Sequence, residues 1–343
     1  MRKTTRSNIV TFGIVILFYL VVQLLSAGGL LSNSFEGQLI PICAYVVMAV
    51  SLNLTVGFLG ELSLGHAGFM SVGAFAGVLV WTVAGESLPV FAALPLAFLA
   101  GGVAAGLFGV IVGVPVLRLS GDYLAIVTMA FAEIIRVVFC NLEITGGGRT
   151  MSGILRLSDF GRTFWIMVVC VTVMFLFVRS RFGRTVQAIR EDYIAAEASG
   201  INVTFYKVLT FAVSSFFAGV GGGVYAHYMT AMIPTNFDFN YSAELLSEVI
   251  IGGTGSLTGS VIGAAFLSAL PELMRQFSTY RMLGYSVVLV LVMLFRPGGI
   301  FGRWEFSLTR LFAKAAGRGK PRSGAPHTAA KSAPAEPAPE KGA

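Results

Sequence analysis

Long apolar runs separated by short polar breaks dominate the chain from residue 9 to residue 296. A helix that crosses the hydrocarbon core of a bilayer needs about 20 mostly apolar residues. Runs of that kind lie at 9–31, 39–59, 64–84, 89–115, 123–141, 163–179 and 208–231. Two shorter pieces follow at 243–253 and 257–274, around Gly252-Gly253-Thr254-Gly255-Ser256. A last run at 283–296 stops at Arg296-Pro297-Gly298-Gly299. Backbone groups in lipid must be satisfied within the element, so the runs predict helices, and no short alternating pattern suggests a β-barrel. The expectation is an all-α integral membrane protein of about ten transmembrane elements, eight full spans plus a broken pair.

Composition supports this reading. Hydrophobic residues make up 55% of the 343 and charged residues 12%, against about 25% charged in soluble proteins. The mean hydropathy is +0.80. The first apolar run is too long for a signal-peptide core and reads as a retained span.

The net charge of +7 matters less than its placement. With the N-terminus inside and the spans alternating, the inner segments carry 18 Lys/Arg and the outer loops five, Arg149, Arg156, Arg162, Arg275 and Arg281. That asymmetry places both termini in the cytoplasm. It also assigns the basic clusters to membrane topology, and no nucleic-acid partner is expected. Parity then makes 243–274 leave and return on one side, as two short helices broken at the glycines. The chain divides into a transmembrane domain over 1–303, with a cytoplasmic loop at 180–207, and a basic tail over 304–343. The tail is rich in Ala, Pro, Lys and Gly and cannot bury enough surface to fold.

Gly60-Glu61-Leu62-Ser63-Leu64-Gly65 echoes Gly253-Thr254-Gly255-Ser256-Leu257-Thr258. Each precedes a small-residue helix, a pattern compatible with an inverted repeat. Gly73 and Gly77 form a GxxxG, which lets helices approach closely. Glu61, Ser63 and His66 sit at the turn into the third run. A helix break there lines a pathway or is a tightly packed inner turn with the titratable groups at headgroup level. Asn53, Glu244 and Glu248 are further pathway candidates, and each has the alternative of bonding a neighbouring helix. Glu133 and Arg136 are i, i+3 inside a span and read as an ion pair; a role in solute passage is the minor alternative.

The loop RSRFGRTVQAIREDYIAAEASGINVTFYK places Val186, Ile189, Tyr193 and Ala196 at helical spacing. Gly200 suits the position that ends a helix. A short helix with a smooth Ala195-Ala196 face fits either a partner's groove or an ordinary solvated surface.

Cys43, Cys140 and Cys170 are isolated in apolar runs and read as core residues. No phosphate-cradling loop, metal cluster or hydrolase motif occurs, so the chain reads as a conduit that draws its energy from elsewhere, with no cofactor of its own.

Several stretches together resemble a known family. They are SLNLTVGFLGELSLGHAGFMSVGAF, RLSGDYLAIVTMAFAEIIRVV, the TGGG at 145–148, the 180–207 loop with the span after it, ELLSEVIIGGTGSLTGSVIGAAF and FRPGGIFG. They cover about residues 40 to 302 and resemble the LivM-type membrane subunits of bacterial ABC importers for branched-chain amino acids. The resemblance implies an importer permease fold in the inner membrane. It also implies a second, LivH-type permease subunit, two cytoplasmic ATPases and a periplasmic substrate-binding protein as partners. Within it, Arg190, Glu191, Ala195, Ala196, Gly200 and Ile201 map onto the ATPase-docking loop, although Ile194 stands where the family motif has Glu. A urea, amide or other amino-acid permease of the same family is the alternative. A secondary transporter driven by an ion gradient is the alternative from another class.

Overall fold

The computed structural model describes residue 16, residues 19–24, and residues 33–302 other than 86–88, 120, 148, 275–279, 296–298, 300 and 301. The span expected over 9–31 is therefore described only in part, and the tail expected over 304–343 lies outside the described residues.

The chain is mostly helical. Helix α1 covers Asn33–Asn53 and runs on as a π-helical turn over Leu54–Leu59. Then follow α2 His66–Ala84, α3 Val90–Val116, α4 Asp122–Asn141, α5 Phe160–Arg179, α6 Arg181–Glu191, α7 Tyr193–Ala198 and α8 Val203–Met229. The last three are α9 Phe239–Gly252, α10 Leu257–Leu273 and α11 Arg281–Phe295. Six helices among the described residues are long and apolar enough to cross a membrane: 37–59, 66–84, 90–116, 122–141, 160–179 and 203–229. They match six of the eight expected full spans. Leu257–Pro271 and Leu283–Phe295 are shorter apolar helices.

The centre is built from α2, α3 and α8, and small residues explain how they meet. A Cβ on Gly73 would overlap the backbone of Gly219 in α8, and a Cβ on Gly101 in α3 would overlap the Gly73 carbonyl. In lipid no hydrophobic drive distinguishes helix from tail, so close backbone approach supplies the dispersion contacts that hold helices together. The expected close approach at Gly73 is present, and three helices share it. Around this centre, α1 packs with α5, α8, α9 and α10, and its residues from Val46 to Asn53 are almost fully buried.

At one end of the bundle a short antiparallel pair, β1 (Met151–Ser152) and β2 (Ala231–Met232), joins the loops before α5 and after α8. Ser158 Oγ donates to the Val224 carbonyl at 2.8 Å beside it. The opposite end carries α6 and α7.

The loop between α5 and α8 departs from the sequence reading. Its pattern predicted one helix through Tyr193, but the structure has two. Asp192 is extended, and its Oδ1 accepts from the N–H groups of Ile194 (2.9 Å) and Ala195 (3.0 Å). A capping carboxylate starts a new helix, and the new start resets the register. Val186, Ile189 and Ala196 are buried as the spacing implied, while Tyr193 is exposed. The end of α7 follows expectation: Gly200 has φ +83°. Its N–H donates to the Glu197 carbonyl, and Ile201 N–H donates to that of Ala196. This pair of bonds satisfies the last carbonyls of a helix when the closing residue is left-handed.

Candidate functional site

Two of the candidate residues, Asn53 and Arg190, meet where two helix C-termini come together. The first is the π-helical turn after α1, closed by Gly60 at φ +82°. The second is the end of α9, where Gly253 turns with φ +115°. A helix C-terminus carries partial negative charge and carbonyls that need partners from outside the helix.

Asn53 ties the two ends together. Its Nδ2 donates to the Ser256 carbonyl at 3.0 Å and to Ser260 Oγ at 2.8 Å, and its Oδ1 accepts from Gly255 N–H at 2.9 Å. Asn53 thus bonds α10 and the turn that precedes it. Gly57 is required here, because a Cβ on it would overlap both Asn53 Oδ1 and the Gly255 nitrogen. The end of the helix just before the first sequence echo thus lies beside the second echo.

Arg190, at the end of α6, reaches into the same junction. Its Nη1 donates to the Gly57 carbonyl, and a Cβ on Gly255 would lie 3.1 Å from that nitrogen. A guanidinium beside a helix's last carbonyls satisfies an orphan acceptor and opposes the dipole. Gly253 also packs against Gly299 and Gly302, so these two glycines beyond the last helix join the cluster. Next to it, Lys207 Nζ at the start of α8 pairs with Glu61 Oε1. Both side chains are largely buried.

The remaining pathway candidates are spread apart. His66, buried at the head of α2, shares a hydrogen bond of 2.8 Å between its Nε2 and Ser51 Oγ. Ser63 is buried and its hydroxyl has no partner among the described residues. Glu244 and Glu248 lie along α9. Glu248 is 1% exposed; its Oε1 accepts from Ser268 Oγ at 2.9 Å while Oε2 has no partner among the described residues. Tyr45, Tyr225 and Tyr241 crowd nearby with ring centroids 5.7 to 6.3 Å apart. The structure therefore places Asn53 at the junction, with Ser63 and His66 in the turn that follows and Glu244 and Glu248 farther along α9.

The candidate docking residues also divide. Glu191, Ala195 and Gly200 are exposed, Ile201 is half-buried, Ala196 is buried, and Arg190 points inward. Tyr193 and Ile194, 58% and 64% exposed, complete an apolar surface on α7. Sequence reasoning missed Lys207, Ser256 and Ser260 as partners in the junction. The i, i+4 spacing of Ser256, just before α10, and Ser260 within it was the available signal.

The description "branched-chain amino acid transport system / permease component" fits residues 34–296 of this chain as a family model. The high-affinity branched-chain amino acid transport system permease protein LivM of Salmonella typhimurium is 35% identical over 291 residues, covering 75% of this chain and 67% of that protein. The ribose import permease protein RbsC of Haemophilus influenzae is 26% identical over 267 residues, covering 73% and 78%. The permease protein LivH of Salmonella typhimurium's high-affinity branched-chain amino acid transport system is 30% identical over 145 residues, covering 41% and 47%. No solved structure matches. With a family model over most of its length and a set of long apolar helices, the chain belongs to the permease components of branched-chain amino acid transport systems, multi-pass inner-membrane transport subunits rather than enzymes.

Proposed function

We propose that the chain is the LivM-type half of an ATP-driven importer that carries branched-chain amino acids into the cytoplasm. Its partners are a LivH-type permease subunit, two cytoplasmic ATPases and a periplasmic binding protein. Both termini and the 180–207 loop face the cytoplasm. The finer architecture is ten elements, with α9 and α10 as the broken pair. The inverted repeat of the 60–65 and 253–258 breaks has one support, that each break follows a helix end and precedes a small-residue helix. Because α1 and α9 both run towards the junction, an inversion relates larger halves than these two helices.

The observation that carries the reading is the two-sided build of the 180–207 loop. Outward, α7 offers Tyr193, Ile194 and Ala195 to a groove. Inward, Arg190 and Lys207 fasten the loop to the two helix breaks. ATP binding draws the ATPases together, and α6 and α7 move with them. The junction at Gly57 and Gly255 follows, and the transmembrane halves rock so that a central cavity opens to alternate sides. The solute needs no deep well in the pathway when a binding protein supplies affinity.

Ile194→Asp tests the outward face, because it alters an exposed side chain and leaves the fold alone. An aspartate in an apolar groove loses about 1–3 kcal/mol of contact, so ATP-driven uptake in vesicles is expected to fall about tenfold or more, with the permease pair still assembled. Unchanged uptake removes α7 from the docking surface. Ala196 and Gly200 are poorer test positions: one is buried and the other holds a left-handed backbone.

A further inference from the structure

The junction leaves one charged feature of the membrane interior unexplained. In α4, Arg136 Nε donates to both Glu133 carboxylate oxygens, at 3.0 and 2.9 Å. Glu133 is the twelfth residue of a 20-residue helix, so it lies roughly 16 Å from one end and 12 Å from the other at 1.5 Å per residue. A glutamate side chain does not bridge either distance to reach water at the headgroups. Yet the Glu133 side chain is 48% exposed and that of Arg136 23%.

The opposite face of α4 is fully used. Leu124, Ala125, Thr128, Ala132 and Ile135 are buried, and Gly65 and Gly68 of the α2 entry press against Thr128 and Ala132. The charged pair thus lies off the face of α4 that packs on α2. Asp238, which caps α9, lies within electrostatic reach of both charges, and the exposed Asn240 donates to Asp238 Oδ2 at 2.8 Å. Two separate elements together present a polar wall, exposed at Glu133 and Asn240 and half-buried at Arg136 and Asp238.

Lipid is a poor neighbour for such a wall. A charge at the centre of a span costs about 2.5–3.5 kcal/mol on insertion scales, and such residues normally face a bundle interior or water. The described part of the N-terminal span lies against α5 instead, with Tyr19 stacked on Phe160 and Phe164. The outward face of α5 is apolar at the same depth, with Val169, Val173 and Leu176 exposed, as lipid contact requires.

We propose that the Glu133–Arg136 face of α4, with Asp238 and Asn240, is a wall of the solute pathway, facing the second permease subunit across a water-filled cleft, and that it takes the zwitterionic head group of an α-amino acid. The carboxylate of Glu133 matches the ammonium, and the planar guanidinium of Arg136 matches the carboxylate. Each charge already has a partner in the other, so the site exchanges contacts with the solute rather than trapping it. The identity of the solute rests on the importer reading; the exposure of the wall to water does not.

The test uses the assembled importer with Cys43, Cys140 and Cys170 replaced. Ala130→Cys lies one turn before Glu133 on the same exposed face and keeps the pair intact; Val169→Cys on α5 is the lipid-facing control. A membrane-impermeant cationic thiosulfonate is expected to label Ala130→Cys, more slowly with saturating leucine, and to leave Val169→Cys unlabelled. Ala130→Cys as inert as the control overturns the proposal. A second arm replaces the pair by Glu133→Leu with Arg136→Leu. A thermal midpoint at or above wild type with uptake at least tenfold lower supports the wall, and unchanged uptake overturns it. If the unsubstituted importer takes up no branched-chain amino acid while Ala130→Cys still labels, the solute assignment fails and the water-lined wall stands.

Discussion

Arg190→Ala is expected to lower uptake by the assembled importer at least about tenfold while ATP hydrolysis continues. The guanidinium donates to the Gly57 carbonyl and lies against Gly255, where two helix C-termini meet. A hydrogen bond made by a charged group contributes about 1.5–3 kcal/mol, and 1.4 kcal/mol is a factor of ten in an equilibrium. Without it, α6 keeps its own contacts through Val186 and Ile189, both buried, but loses its hold on the two breaks. Movement of the loop then no longer obliges the breaks to follow. Arg190→Lys keeps the charge but not the planar fork, and an intermediate loss is expected. The deciding measurement is solute taken up per ATP hydrolysed. A fall in that ratio marks lost coupling, whereas uptake and hydrolysis falling together marks lost docking or folding.

Gly73→Val is expected to prevent assembly of the folded protein. The added side chain meets the Gly219 backbone of α8, and the Gly73 carbonyl already abuts Gly101 of α3. No rotamer relieves a clash with backbone, so α8 or α3 must move away from α2. Overpacking a core typically costs about 1–3 kcal/mol where side chains can shift, and this site has only backbone to displace. The central contact of three helices is lost together. The yield of monodisperse protein in mild detergent and its thermal midpoint are both expected to collapse. Gly77→Ala is a fair comparison: its Cβ would meet the Ala97 carbonyl at 3.2 Å, and a small loss in midpoint is expected.

Much of this architecture was legible in the chain. Apolar run length predicted six of the long helices within a few residues, because a bilayer imposes a length that a soluble core does not. Gly200 announced the end of α7 and the glycines at 73 and 77 a close approach, both for steric reasons local to the backbone. The helical spacing from Val186 to Ala196 did not reveal the break between α6 and α7, because Asp192 serves equally well as a polar surface residue and as a cap, and sequence spacing does not separate the two. For Glu61 and His66 the sequence left open a pathway-lining break or a packed inner turn at headgroup level; the structure gives one a lysine from α8 and the other a serine from α1. Those partners are 146 and 15 residues away, beyond what periodicity can report.

By itself, the sequence determined that this is a helical membrane protein without chemistry of its own, and through its motifs which family it joins. Hydropathy and backbone sterics are local properties, and a run of twenty residues expresses them in full. Only the tertiary structure decided that Asn53 and Arg190 meet at two helix ends drawn from opposite parts of the chain. It also decided that Glu133 and Arg136 turn outward while Glu248 turns in. A charged side chain's role depends on what lies across from it, and that neighbour is chosen by packing rather than by position along the chain.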